Sequence, residues 1–286
     1  MIFKNLIRKL FTFSPFEKII LLFTKNSDSR GFTTRIPAPN HFYKTNSIRN
    51  VKRNGINYQL NISDFMDWYL YFGFAEKEKK HLFSQIKNDF IIYDIGANIG
   101  ELALNFSKYA PQGHVYAFEP DSFNFSKLQT NIRLNSATNL SCFQCALGDQ
   151  EGTFKLYSFD KGNRGMNRIL NECENRDFEE VKVYSLDQFV KTNQIPLPNL
   201  IKIDVEGFEY KVLLGAQVII EHARPFVFIE IIDKNLKELG TSAEEVVSFF
   251  RKMKYRIFNP ADNSFLENDF SFSGADLNAF CFPLID

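Results

Sequence analysis

The sequence predicts an α/β fold, a doubly wound and mostly parallel sheet with helices on both faces. Three observations carry that expectation. Apolar runs such as Ile91–Ile95 and Phe226–Ile232 are nearly uninterrupted, as strands buried on both faces require. These runs alternate with helical patterns in units of about 10–15 residues, the sign of a parallel sheet. Glycines and acids gather where the runs end, and those carboxyl ends are where open α/β sheets bind ligands. With 44% hydrophobic and 24% charged residues, the 286-residue chain has material for a sizeable core, which argues against intrinsic disorder.

The N-terminal part differs in character from the rest. Residues 1–60 hold 11 Lys/Arg against 2 Asp/Glu, a net of +9, and the remaining 226 hold 23 against 32, a net of −9. The zero total therefore describes neither part, and the acidic body is not that of a nucleic-acid binder. Ile2, Phe3, Leu6, Ile7, Leu10 and Phe11 fall at helical spacing. Ser14-Pro15 offers an N-cap and first-turn pair ahead of a stripe of Phe16, Ile19, Ile20 and Phe23. Two short basic amphipathic helices are expected. Their apolar faces are read first as packing on the protein's own body, and second as docking residues 1–25 on an anionic membrane surface. Residues 24–50 carry Gly31, Pro37 and Pro39 and read as a linker. Residues 1–50 are thus expected to form an extension, and 51–286 the domain that carries the chemistry.

No run of about 18 apolar residues is present, no secretory signal is clear, and four cysteines are too few for a disulfide framework. A cytoplasmic protein with reduced thiols is expected, with peripheral membrane contact as the variant of that reading. Cys142 and Cys145 form a C-x-x-C on an expected strand, where their side chains face opposite sides. That placement argues against a redox or zinc pair.

From Val51 strands and helices alternate. Expected in order are a strand over 91–95, a helix over 101–109, a strand over 114–118 and a helix over 123–134. A third strand over 140–147 follows, then a break in the alternation. Residues 152–159 and 181–184 read as extra strands around a polar, irregular stretch at 160–180 of the kind that forms lids or binding loops. The alternation resumes with a strand over 200–205, a helix to about 222, a strand over 226–232, a helix over 243–253 and late strands over 255–258 and 278–282.

The chemistry lies at the strand ends. The first strand runs into Asp94-Ile-Gly96-Ala97-Asn98-Ile-Gly100. A dinucleotide site needs G-x-G-x-x-G, and Asn98 holds the second glycine's place. An acid two residues before Gly96 disfavours a pyrophosphate and suits an ammonium, which points to S-adenosylmethionine (SAM). Glu119, ending the second strand, is placed to accept hydrogen bonds from ribose hydroxyls. In the fourth strand Lys202, Asp204 and Glu206 alternate with apolar residues and share one face if extended. Three charges on a buried strand are costly unless paired, which marks either a reactive site or an internal ion-pair network. Trp68-Tyr-Leu-Tyr71 offers rings for stacking on a substrate, although core packing is the commoner use.

Asp94–Gly100, Glu119-Pro120, the Ser185-Leu-Asp187 turn, and above all Lys202-Ile-Asp-Val-Glu-Gly-Phe-Glu209 with Val212-Leu-Leu-Gly215 resemble the FkbM family of SAM-dependent methyltransferases. The resemblance covers about residues 51–286. It implies a Rossmann-like, seven-stranded sheet with its last strand antiparallel, Asn278–Phe282 filling that slot and Tyr255–Phe258 the one before. It also implies O-methylation of a hydroxyl on a sugar, glycan or other natural product. The site then comprises Asp94, Gly96, Ala97, Asn98, Gly100, Glu119, Pro120 and Ala146 around SAM. Asp204 or Glu206 serves as base, and Lys202 as their charge partner. Glu230, ending the fifth strand, could join Asp204 around a divalent cation, but two carboxylates are a thin ligand set, so a metal is not favoured. Gly165-Met-Asn-Arg168 departs from the small, Ser-containing stretch of the family, which leaves the acceptor open. Two other readings stay in view: an NAD-dependent sugar oxidoreductase, and a non-catalytic module of the same fold docking through its basic head.

Overall fold

The structure is a computed structural model that describes residues 9, 11–25, 27–28, 31–170, 173, 175–266 and 270–284. The helix expected over residues 2–11 lies, except for residues 9 and 11, outside them. The described chain divides into two compact units. One is residues 1–80 with 159–166, the other residues 81–158 with 167–286. Residues 51–80, expected in the larger domain, thus fall with the N-terminal unit. No boundary can run at residue 50, because a strand crosses it.

In the first unit, α1 (Ser14–Thr24) starts one residue before the expected first turn, with Pro15 inside it. The described residues of the expected linker take up defined turns and the start of a strand. These are two single 3-10 turns, Phe32–Arg35 and Asn40–Phe42, and then β1 (Ile48–Arg53). β1 pairs antiparallel with β2 (Ile56–Asn61) across a two-residue turn of Asn54 and Gly55, at φ +48° and +82°. Asn-Gly is the strongest short hairpin signal, since both positions tolerate positive φ. α2 (Phe65–Phe72) is capped by Asp64, whose carboxylate accepts from the Met66 and Asp67 amides, and ends at Gly73. Its Trp68 is buried, donates its indole N–H to the Ala38 carbonyl at 2.8 Å and stacks on Phe65. Trp68 and Tyr71 are therefore core of this unit, and the ring-stacking reading for them is withdrawn.

The chain passes through α3 (Lys77–Ser84) into the second unit. Here β3 (Ile91–Ile95), α4 (Glu101–Tyr109), β4 (His114–Phe118), α5 (Ser122–Asn135) and β5 (Leu140–Phe143) follow in order. The strand expected over 140–147 is split. β5 stops at Phe143, and β6 (Ala146–Leu147) belongs to a second sheet. That sheet has the order β6-β9-β7-β8, with β7 Gly152–Tyr157, β8 Arg168–Ile169 and β9 Phe178–Tyr184. α6 (Leu186–Asn193) leads to β10 (Leu200–Ile203). The single helix expected next is two, α7 (Glu209–Gly215) and α8 (Gln217–Ala223), and the Asp187 carboxylate accepts from the Val218 and Ile219 amides at the start of α8. Then come β11 (Phe226–Ile232), α9 (Asp233–Glu238), α10 (Ala243–Lys252), β12 (Tyr255–Asn259), β13 (Ser264–Phe265) and β14 (Asp276–Pro283).

The main sheet runs β13-β12-β14-β11-β10-β3-β4-β5. It is parallel from β11 to β5, and β14 lies antiparallel between β11 and β12. Seven of these strands are the expected ones; the two-residue edge strand β13 is an eighth. β10 is buried along its length between β3 and β11. Tyr93, Ile201, Ile229 and Phe250 belong to the core. The chain runs outward from β3 through β4 and β5, then returns to β10 on the other side of β3. The β3–β10 junction is thus the topological switch point, where such sheets open a crevice for ligands. Among the described residues no helix is long and apolar enough to cross a membrane.

Gly96 closes that junction. At φ +79° a Cβ there would lie 1.9 Å from the Asp204 carbonyl oxygen. Both conformation and space therefore require glycine. Gly96→Ala is expected to lose about 2–4 kcal/mol of unfolding free energy, from backbone strain plus displaced backbone. Urea titration measures it, and a loss under about 0.5 kcal/mol, the range of ordinary surface substitutions, would contradict this packing.

Candidate active site at the switch point

The loop after β3 is pinned to β4. The Gly96 and Ala97 amides both donate to the Phe118 carbonyl, at 3.0 and 2.9 Å. The Asn98 amide donates to Glu119 Oε2 at 2.8 Å, and the Asp121 amide to Glu119 Oε1 at 3.0 Å. Glu119 is nearly buried, and burial pushes its pKa up to about 8, against the pull of the Asn98 and Asp121 amides. Each of its oxygens has accepted one hydrogen bond and keeps a second acceptor position. Pro120 follows it, half-buried, and Gly100 packs under Leu128 at the start of α4. Ala146 is buried in β6, paired with Val183, so it belongs to the smaller sheet and not to the end of a main-sheet strand.

Asp94 does not lie where the sequence suggested. It is fully buried, and Lys202 Nζ stands 3.3 Å from its Oδ1. The same ammonium is 3.6 Å from Asp204 Oδ2 and donates to the Ile95 and Gly96 carbonyls at 3.3 and 2.6 Å. Burial opposes the charge on Lys202, but Asp94 and Asp204 beside it outweigh burial and hold its pKa above the ordinary lysine value. The group facing Asp94 is therefore a lysine of the next strand, in register with it in the β3–β10 ladder. The network reading of Lys202 and the site reading of the acids hold together.

Asp204 and Glu206 are not on one strand face. β10 ends at Ile203, and Glu206 sits at φ +55° in a tight loop. Gly207 follows at φ +108°, where a Cβ would meet the Asn235 carbonyl at 2.7 Å. The buried Glu209 carboxylate accepts from the Val205 and Gly207 amides and fixes that loop from within. The two acids still meet. Oxygens of Asp204, Glu206 and Glu230 all lie within 4.8 Å of one another, Glu230 coming from the end of β11. Asp204 is the open member, with 43% of its side chain exposed. Burial and the neighbouring Asp204 push Glu206 up to about 7, and burial with Asp204 and Glu206 raises Glu230 well above the usual carboxylate range. Such a trio offers the oxygen donors a divalent cation takes, with Glu206 as the third ligand the sequence did not supply.

Three further residues shape the cluster. Asn235, on α9, donates to Glu206 Oε2 at 3.0 Å. Arg168, on β8, lies 3.7 Å from the same oxygen and 3.0 Å from Glu238. Beside it, Asn167 donates to Asp121 Oδ2 at 2.8 Å. The insertion between β5 and β10 therefore reaches both the Glu119 side and the Glu206 side. Arg168 stood out in the sequence only as a departure in a polar stretch. Asn235 carried no signal, because α9 is too short for a periodicity.

The arrangement suits SAM better than a dinucleotide. Lys202 is engaged by two carboxylates and two carbonyls, and Asp204, Glu206 and Glu230 gather beside it. Such a surface attracts a cation with a ribose diol and repels a pyrophosphate. This chain is similar to "Methyltransferase 1" of Beauveria bassiana, 32% identical over 45% of this chain and 59% of that protein. It is similar to "Hexuronic acid methyltransferase AglP" of Haloferax volcanii, 29% identical over 52% of this chain and 59% of that one. It is also similar to "2-O-methyltransferase NoeI" of Sinorhizobium fredii, 25% identical over 53% and 67%. The chain thus spans about three fifths of the length of the first two. The model of the Methyltransferase FkbM domain matches residues 94–257, more than half of the chain, from the Asp94 loop to β12, and this protein belongs to that family.

Proposed function

We propose that the protein is a SAM-dependent O-methyltransferase acting on a hydroxyl of a sugar, glycan or related natural product. The carrying observation is the placement of a carboxylate of raised pKa, Glu206, beside an open one, Asp204, across Gly96 from the loop that Glu119 organises. Family membership supports methyl transfer and disfavours the oxidoreductase reading. The names of two relatives, a hexuronic acid methyltransferase and a 2-O-methyltransferase, support a sugar-type hydroxyl as acceptor.

Bound there, SAM supplies an activated methyl group open to in-line displacement by an oxygen. Glu119 would offer its two remaining acceptor positions to the ribose hydroxyls. The Gly96–Gly100 backbone shapes the floor, and Lys202 holds that floor to β10. Glu206 takes the acceptor's proton. A general base is most effective with a pKa near the working pH, and contributes about 100–10,000-fold. Asp204, half-exposed beside it, adds to burial in raising Glu206. Asn235 and Arg168 fix the direction of the Glu206 carboxylate. Asp94 acts through Lys202, as a positioning residue.

Two measurements test this reading. Titration calorimetry with SAM is expected to show at least ~10-fold weaker binding for Glu119→Ala, since two lost hydrogen bonds at about 0.5–1.5 kcal/mol each come to about 1–3 kcal/mol. Unchanged affinity would remove Glu119 from the cofactor site. Glu206 is protonated below its raised pKa and cannot then accept a proton, so turnover should rise with pH through about 7. The stability contribution has the opposite sign. The folded state holds that proton more tightly than the unfolded chain, so the contribution is present at low pH and lost as pH rises through about 7. Glu206→Gln should lose about 100-fold or more in kcat and the limb near pH 7, with SAM affinity retained. A limb that persists in Glu206→Gln and vanishes in Asp204→Asn would move the base to Asp204.

A further inference from the structure

The helix α1 is turned inside out. Its inward face is the polar one. Glu17 is 1% exposed and takes a bidentate pair from Arg49 of β1, Nε to Oε2 at 3.0 Å and Nη2 to Oε1 at 2.7 Å. Ile20 and Thr24, three and seven positions on, complete the buried stripe. The outward face is apolar: Phe16 is 44% exposed, Ile19 51%, Leu22 80% and Phe23 65%, with Phe13 just before the helix at 64%. At about 100° per residue these four helical positions form one contiguous strip, and Lys18 and Lys25 fall along one margin of it. Lys9, Lys18 and Lys25 are all exposed. Phe32, 78% exposed, lies on the neighbouring 3-10 turn. The first 60 residues carry 11 basic side chains and 2 acidic ones, and the pairing with Arg49 neutralises one of those two.

A folded chain does not leave four large apolar side chains on one helix face without a partner for them, and the buried Glu17–Arg49 pair fixes which face points out. We infer that this face docks on an anionic lipid surface, Phe16, Ile19, Leu22 and Phe23 entering the headgroup–acyl boundary while the flanking lysines meet lipid phosphates and carboxylates. Charge selects this occupant. A strongly basic segment around an apolar strip matches an anionic bilayer, where each lysine gains from the surface potential and each ring from the acyl boundary. A second copy packed through the same face would bring like charges together. The inference stands apart from the methyl-transfer reading and uses none of its residues. It reverses the order in which the two readings of the N-terminal helices were ranked from sequence, for α1.

The test is co-sedimentation of the full chain with vesicles of phosphatidylcholine containing phosphatidylserine, and with vesicles of phosphatidylcholine alone. The wild type is expected to bind the anionic vesicles and to be released by salt. Leu22→Glu/Phe23→Glu is expected to bind at least ~10-fold more weakly, with an unchanged circular dichroism spectrum, since both side chains are outside the core. Lys18→Glu/Lys25→Glu, which keeps the apolar strip, is expected to lose the preference for phosphatidylserine. The inference is overturned if the wild type fails to bind anionic vesicles, or if Leu22→Glu/Phe23→Glu binds as the wild type does. It is equally overturned if, without lipid, the chain sediments as a dimer that this variant dissociates.

Discussion

One buried ammonium organises the larger unit. Lys202 sits in the central strand with 3% of its side chain exposed, and Asp94 opposite it with none. Taking two charges out of water costs several kcal/mol each, and their attraction offsets that cost only when the remaining donors are also satisfied. The lysine's donors are: the same Nζ reaches the Ile95 and Gly96 carbonyls and stands beside Asp204, while burial still pushes the Asp94 carboxyl up against the pull of Lys202. The consequences are geometric. The β3 loop can lie against the end of β10 only because Gly96 has no Cβ, and the carbonyls of that loop are then held by the lysine of the other strand. The open carboxylate of Asp204 is carried to the edge of the loop that Glu119 organises. The β3 loop and the acid cluster thus share one wall, and their distance is set by a backbone contact and an ion pair.

The same arrangement explains the uneven acidity of the site. Glu119, Glu206 and Glu209 are all pushed well above the usual carboxylate range, by burial first. Each answers burial with a different partner. Glu119 and Glu209 accept backbone amides, which fixes loops, whereas Glu206 accepts from the Asn235 side chain and has the Arg168 guanidinium 3.7 Å away, which fixes only its own direction. A carboxylate held by side chains stays free to change protonation without unfastening the backbone. That contrast separates the positioning acids from the acid suited to proton transfer.

Much of this was legible in the sequence. Strands buried on both faces are uniform apolar runs, so 91–95, 114–118 and 226–232 were bounded correctly by composition alone. The acids at strand ends marked the site because a charge on a buried strand is too costly to keep unless a partner or a ligand meets it. What failed was tertiary. From sequence Asp94 is placed to meet an ammonium of the ligand, and only the β3–β10 register reveals that the Lys202 ammonium faces it. Alternation placed Glu206 on a strand face, whereas Gly207 allowed the chain to turn sooner and swing Glu206 toward Glu230. Asn54-Gly55 is a hairpin signal just past what read as a linker, and the sequence reading did not use it. The inward Glu17 of α1 could not be foreseen, because its partner Arg49 lies 32 residues on.

The claim on which the rest stands is that Asp94 and Lys202 are partners. A double-mutant cycle of Asp94→Asn, Lys202→Met and the pair, read by urea unfolding, measures it directly. Each single change strands a buried charge and should lose about 3–5 kcal/mol, and the double variant should lose clearly less than the sum, by about 2 kcal/mol or more. Additive losses, within about 0.5 kcal/mol, would mean that the two side chains do not meet, and the site built on their contact would fall with it.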